Sequence, residues 1–158
     1  MSRPERAIEV VGAVGPAPRD LEKSIEAVVA HLRMPEGAPV ALARASFRIV
    51  GDEEMAALHV RHSGVEGTTD VLTFVDAAAP SPVETDIAIC RDVAARESTA
   101  RGTSVESELL LYAVHGLLHA AGFDDATDDD ARRMHEEEDR ILGAIGVGAV
   151  YAVRRRDL

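Results

Sequence analysis

The residues of this chain best suited to chemistry fall in one short run, His115-Gly-Leu-Leu-His119-Ala-Ala-Gly122-Phe-Asp124-Asp125. Histidines four residues apart stand on one side of a helix with Cβ atoms roughly 6 Å apart, so both imidazoles can face a single ion. Gly122 can adopt the left-handed conformation that ends a helix and reverses the chain. That reversal would carry the carboxylate of Asp124 or of Asp125 back toward the same point. Two neutral imidazoles and one carboxylate, with a coordination position left over, describe a catalytic zinc site rather than a structural one. The run therefore reads as the site of a metal hydrolase. The competing interpretation is a pair of ordinary helix histidines bonded to their neighbours.

The residue after the first histidine narrows the chemistry. In zinc peptidases built on a His-x-x-x-His helix it is a glutamate that acts as general base. Here it is Gly116, which has no side chain to take a proton, so a peptidase of that type is disfavoured. What remains is the ion itself, which can lower the pKa of a bound water toward 7 and polarise a phosphoryl oxygen.

These residues need a frame to hold them. Thr103-Ser-Val-Glu106 reads as a capping box opening the histidine helix, whose apolar stripe includes Val105, Leu109, Val114, Leu117, Leu118 and Ala121. Upstream, Ala7 to Val14 reads as a strand, and Arg19 to Arg33 as a helix through Leu21, Ile25, Val28, Val29 and Leu32. Ala41 to Val50 reads as a second strand, and Asp52 as the cap of a short helix from Glu53 to about Arg61. Thr69 to Val75 and Glu84 to Cys90 read as strands about an Ala/Pro-rich loop, Asp76 to Pro82, and Arg91 to Ala100 as a short helix. Thr127 can cap a last helix from Asp128 to Leu142. Strands come mostly early and helices late, so the expected class is α+β: a mixed sheet of about four strands packed with helices, the metal-site helix lying near the C-terminal third. At 158 residues the chain suits a single domain over residues 1–158.

Composition sets further bounds. A net charge of −11 opposes polyanion binding without excluding it, since a local patch such as Arg154-Arg155-Arg156 can still meet phosphate. A single cysteine, Cys90, rules out an internal disulfide and suits a reducing compartment. It is read as a small buried hydrophobe. No apolar run approaches the roughly 20 residues of a membrane span, and the N-terminus lacks a secretory apolar segment, so a cytoplasmic location is expected. The acids from Asp124 to Asp139 lack the alternation and central glycine of a calcium loop. They read instead as a favourable first helical turn, Asp128-Asp129-Asp130, and a solvated face around Glu136. His135 on that helix reads as exposed rather than as a ligand, and His59 and His62 as surface histidines near a loop, with contact to substrate the lesser alternative.

The motif His-Gly-x-Leu-His-x-x-Gly-Phe-Asp closely resembles the signature of the YbeY family of bacterial rRNA-maturation endoribonucleases. Thr69-Asp-Val-Leu-Thr-Phe74 and Asp86-Ile-Ala-Ile-Cys90 resemble its central strands, although Thr85 stands where the family commonly has glycine. The resemblance runs from about Leu42 to Gly146. It implies a zinc-dependent, single-strand-specific endoribonuclease acting in maturation of the 16S rRNA 3′ end and in ribosome quality control, with RNA and the ribosome or its proteins as partners. It also implies that the third ligand, a histidine in the family, is Asp125, so the expected set is His115, His119 and Asp125, with Asp124 as the fallback and another divalent ion possible. A carboxylate in that place adds negative charge around the ion, which raises the pKa of bound water or admits harder ions such as Mn2+. A family arginine thought to contact substrate falls at Ser63 here; Arg61 is the nearest substitute. No catalytic side chain beyond the ligands is assigned. Two other functions stay open: a metal hydrolase of another substrate such as peptide, and a non-catalytic ribosome-associated factor stabilised by its metal.

Overall fold

Alternation of buried and exposed residues is strongest in Val83–Cys90, where Val83, Thr85, Ile87 and Ile89 are buried while Glu84 and Asp86 are exposed. Its last four residues are buried on both sides, the pattern of a central strand. The computed structural model describes residues 7–12, 20–76, 78–79 and 81–147. In chain order it contains β1 (Ile8–Gly12), α1 (Leu21–Ala30), β2 (Leu42–Val50), α2 (Asp52–Ser63), β3 (Val71–Val75), β4 (Val83–Cys90), α3 (Arg91–Arg101), α4 (Val105–Ala120) and α5 (Asp128–Ala144). The fold is α+β with a four-stranded mixed sheet in the order β1-β2-β4-β3. β1, β2 and β4 run parallel, while β3 is antiparallel to β4 and pairs Thr73 with Ile87. β3 is consequently an edge strand.

Two apolar clusters divide the core between the faces of the sheet. Phe47, Ile49, Ile87 and Ile89 pack with Leu21 and Ile25 of α1, with most of α4, and with Met134 and Ile141 of α5. Met55 of α2 covers Val50, Leu72, Ala88 and Cys90 on the other side. Gly116 explains how closely α4 approaches the sheet. A Cβ at that position would lie 2.9 Å from Ile87 Cγ2, closer than real Cβ contacts come, and a tight 3.1 Å from Thr73 Oγ1, so a side chain there would force its neighbours to shift. The glycine thus serves packing as well as removing a potential base. No helix among the described residues is long and apolar enough to cross a membrane.

Several expected boundaries move. The cap of α4 is Ser104, whose hydroxyl accepts Ser107 N–H at 3.0 Å, while Thr103 donates to the buried Glu108 at 3.0 Å; the anticipated pairing of Thr103 with Glu106 is replaced by one a residue later. Gly51, not Asp52, caps α2. Asp52 is drawn off by Arg96, whose guanidinium reaches both its oxygens at 2.6 and 2.9 Å. The first strand is Ile8–Gly12, and the expected extension through Ala13 and Val14 lies outside the described residues. Thr127 does cap α5, accepting Asp130 N–H at 3.1 Å.

Candidate metal centre

Burial of Ala113, Val114, Leu117 and Leu118 fixes the rotation of α4 about its axis, which leaves His115 and His119 half-buried on its open side. Their Nε2 atoms stand 3.1 Å apart. The helix ends in a Schellman turn: Phe123 N–H reaches Leu118 O and Gly122 N–H reaches His119 O, each at 3.0 Å. Gly122 has φ +107°, which is why the position needs glycine. Phe123 packs against the core, and the chain returns so that Asp125 Oδ2 lies 3.5 Å from His115 Nε2 and 3.6 Å from His119 Nε2. A tetrahedral ion with bonds near 2.0–2.1 Å requires its ligands to be about 3.3 Å apart, so the three atoms form a triangle of suitable size. Asp124 is not part of it; its Oδ1 accepts the N–H of Asp125 at 2.8 Å and steadies the turn.

The far nitrogens decide what the near ones offer. His115 Nδ1 lies 2.7 Å from Glu138 Oε1, and His119 Nδ1 lies 3.1 Å from the carbonyl of Phe123. Both partners are acceptors, so each Nδ1 carries the proton and each Nε2 presents a lone pair. Two lone pairs and a carboxylate oxygen then converge, an arrangement that a cation seated between them would relieve. Burial disfavours charge on His115, yet the hydrogen bond and charge of Glu138, joined by the charges of Asp70 and Asp125, leave its pKa raised. Burial likewise pushes the Glu138 carboxyl up, but the bonds from His115 and then His135 prevail and leave it below its ordinary value.

Glu138 corrects the expectation of a solvated acidic face. Glu137 and Glu138 are both buried. Glu137 accepts from Arg33 Nε at 3.0 Å and from Arg140 NH2 at 2.8 Å. The signal was present as phase: Glu138 follows Met134 by four residues and precedes Ile141 and Leu142, all on the buried side of α5. His135, expected to be exposed, is half-buried with Nδ1 3.5 Å from Glu138 Oε2. It stays outside the convergent group.

The group opens onto a cleft of about 380 Å3 lined by His62, Thr69, Asp70 and Thr73 together with His115, His119 and Asp125. No lysine or arginine lines that cleft among the described residues. His62 sits against Phe74, ring centroids 4.7 Å apart, so one of the two surface histidines does face the cleft; His59 is tied to Gly67 O at 2.9 Å instead. Arg61 is exposed and does not line the cleft, and Ser63 bonds back to His59 O at 2.9 Å. Beside the cleft, sharing Thr69 and Asp70 with it, is a second cavity of about 460 Å3 reached by Arg96, Glu97, Arg101 and Tyr112. Cys90 is buried, and burial pushes its thiol up, in keeping with a packing role.

Fold and site together define an α+β protein with a solvent-open His-His-Asp group able to hold a divalent cation. The chain belongs to the endoribonuclease YbeY family, whose model matches residues 14–146. It is 37% identical over 115 residues to the endoribonuclease YbeY of Frankia alni, covering 65% of this chain and 64% of that protein. It is 30% identical over 155 residues to that of Laribacter hongkongensis, covering 87% and 93%. The Thermobifida fusca relative is 39% identical over 110 residues, covering 64% of this chain and 71% of the relative. The match thus spans somewhat under two thirds of the Frankia alni protein. The solution structure of TM1509 from Thermotoga maritima shares the fold, with a TM-score of 0.55 at 22% identity over 86% of this chain and 89% of that one.

Proposed function

We propose that this protein is a zinc-dependent, single-strand-specific endoribonuclease of the cytoplasm, acting with the ribosome in maturation of the 16S rRNA 3′ end and in ribosome quality control. His115, His119 and Asp125 hold the ion, and residues 1–158 serve as one hydrolase domain. The observation that carries the reading is the triangle of Nε2, Nε2 and Oδ2 atoms 3.1 to 3.6 Å apart at the mouth of an open cleft, with both imidazoles turned by acceptors at Nδ1. When bound, a divalent ion supplies an activated water and a Lewis acid for a phosphoryl oxygen. Glu138 and Phe123 O set the tautomers, and Asp125 offsets part of the ion's charge. The aspartate in place of histidine makes the donor set harder, so Mn2+ competes with Zn2+ more effectively than at an all-histidine site. Peptide hydrolysis by a helix-borne glutamate has no support here, because α4 has no room for a side chain at Gly116.

The test is metal analysis of the purified protein and of His119→Ala, with cleavage of a single-stranded RNA measured before and after chelation. One zinc per chain in the wild type, its loss in the variant and chelator-sensitive cleavage are expected. Equal zinc in both proteins would exclude the ligand assignment. Cleavage unaffected by chelation would exclude the metal mechanism.

A further inference from the structure

The cleft holds two carboxylates among its described lining, and the ligand assignment uses only one of them. Resting on the function proposed above, we propose that the other, Asp70, is a further catalytic residue: the base that takes the proton from the attacking water, standing one water molecule outside the ligand group.

Three observations carry this. The helix cannot furnish a base, since a Cβ at Gly116 would strike Ile87 at 2.9 Å. Next, the ligand atoms of His115, His119 and Asp125 all lie within 4.8 Å of one another and Asp70 is outside that group, although it lines the same cleft and its charge is felt at His115. It is therefore placed not as a fourth ligand but as a group that reaches the site through a water, since a water can span two polar groups beyond direct hydrogen-bond reach. Last, Asp70 is held in place. Its main-chain carbonyl accepts Cys90 N–H at 2.9 Å, and its Oδ1 accepts Val71 N–H at 2.8 Å, with Thr69 Oγ1 at 3.4 Å. Oδ2 has no hydrogen bond to the described residues, so the carboxylate is anchored by one oxygen and free at the other.

The groups facing Asp70 are His62 from α2, His115 and His119 from α4, and Asp125 from the turn, with Arg96, Glu97 and Arg101 of α3 on the side of the adjoining cavity. In the step itself the water oxygen forms a bond to phosphorus and its proton passes to Asp70 Oδ2. The bond from phosphorus to the leaving ribose oxygen breaks, that oxygen takes a proton from solvent, and Asp70 returns its own to solvent.

Asp70→Asn is the informative variant, because its amide oxygen can still accept from Val71 N–H while the charge and the basicity are gone. With single-stranded RNA, kcat falls about 100-fold, KM changes less than threefold, and the acid limb of the kcat–pH profile disappears. Metal affinity, measured by chelator competition, is unchanged. A second arm needs no turnover: the visible spectrum of the cobalt(II)-loaded protein is titrated with pH, and loss of the neighbouring negative charge moves its midpoint down by about half a unit or more. Wild-type kcat in the variant, superimposable cobalt titrations, or a variant that no longer binds cobalt (which would make Asp70 a ligand) each overturn the assignment. A wild type that loads cobalt but cleaves no RNA sinks the endoribonuclease reading instead, while a shifted cobalt midpoint in the variant still places Asp70 beside the ion.

Discussion

Helix α5 carries acids in its first turn and again in its third, and the two groups live in different media. Asp128 and Asp129 are exposed, facing water at the positive end of the helix, with Asp129 paired to Arg132 at 2.7 Å. Glu137 and Glu138 are buried, and the Glu138 side chain is only 1% exposed. The sequence of each group is simply a run of like charges. What separates them is the phase of the helix against α4. Near the N-terminus Asp128 and Asp129 stay in water, whereas at residue 138 the helix meets His115 and the carboxylate must find its partners inside the protein. A solvated acid is replaceable by water; a buried one is replaceable only by another group of the same shape and polarity.

Breaking the buried member should have the largest effect. Glu138→Ala leaves His115 N–H without its acceptor and removes a buried ion-pair partner, so the chelated protein loses about 3 kcal/mol in urea unfolding. Zinc affinity, read by chelator competition, falls about 10- to 100-fold as the His115 ring loses its anchor. Glu138→Gln retains an oxygen acceptor and should fall between this variant and the wild type. An Ala variant that binds zinc like wild type would remove the distinction between the two ends.

The same pair predicts a pH signature in the chelated protein. The Glu138 pKa is depressed, so its contribution is present above the ordinary value of 4.5 and lost as pH falls through the lowered one. The His115 pKa is raised, so its contribution is present below 6.5 and lost as pH rises through the raised value. Urea midpoints against pH should therefore decline at both ends, and Glu138→Gln should flatten both limbs. Next in size is Glu137→Gln, which weakens bonds from Arg33 and Arg140 and lowers stability by about 1 kcal/mol. The smallest change is Asp129→Asn, within about 0.5 kcal/mol in the same unfolding experiment; a loss as large as that of Glu137→Gln would show the first turn to be more than a solvated end.

Much of the frame was legible in the sequence because it depends on local periodicity. Alternation in Val83–Cys90 and the apolar stripe of α4 identify the elements, Gly122 announces the turn, and the spacing of His115 and His119 puts both rings on one side. The convergence of Asp125 with them follows from that turn. Asp70 and Glu138 escaped the reading for a common reason: tertiary structure alone brings Asp70, just ahead of β3, into the cleft of the histidines and Glu138 of α5 against His115. Glu138 was masked further by its acidic neighbours, and the capping role given to Thr103 failed because Ser104 competes for it one residue later. Pairing was equally hidden. Nothing in the strand segments says that β4 inserts between β2 and β3 or that β3 alone runs antiparallel.

By itself, then, the order of residues determined which segments are helix or strand, where α4 stops, and that two imidazoles share a side, because those properties depend on neighbours within a turn or two of backbone. The tertiary structure alone decided which acid is buried, which nitrogen of each histidine faces an acceptor, and why position 116 crowds out a side chain. Those depend on desolvation and close contact between groups far apart in the chain, such as Glu138 with His115 and Ile87 with Gly116.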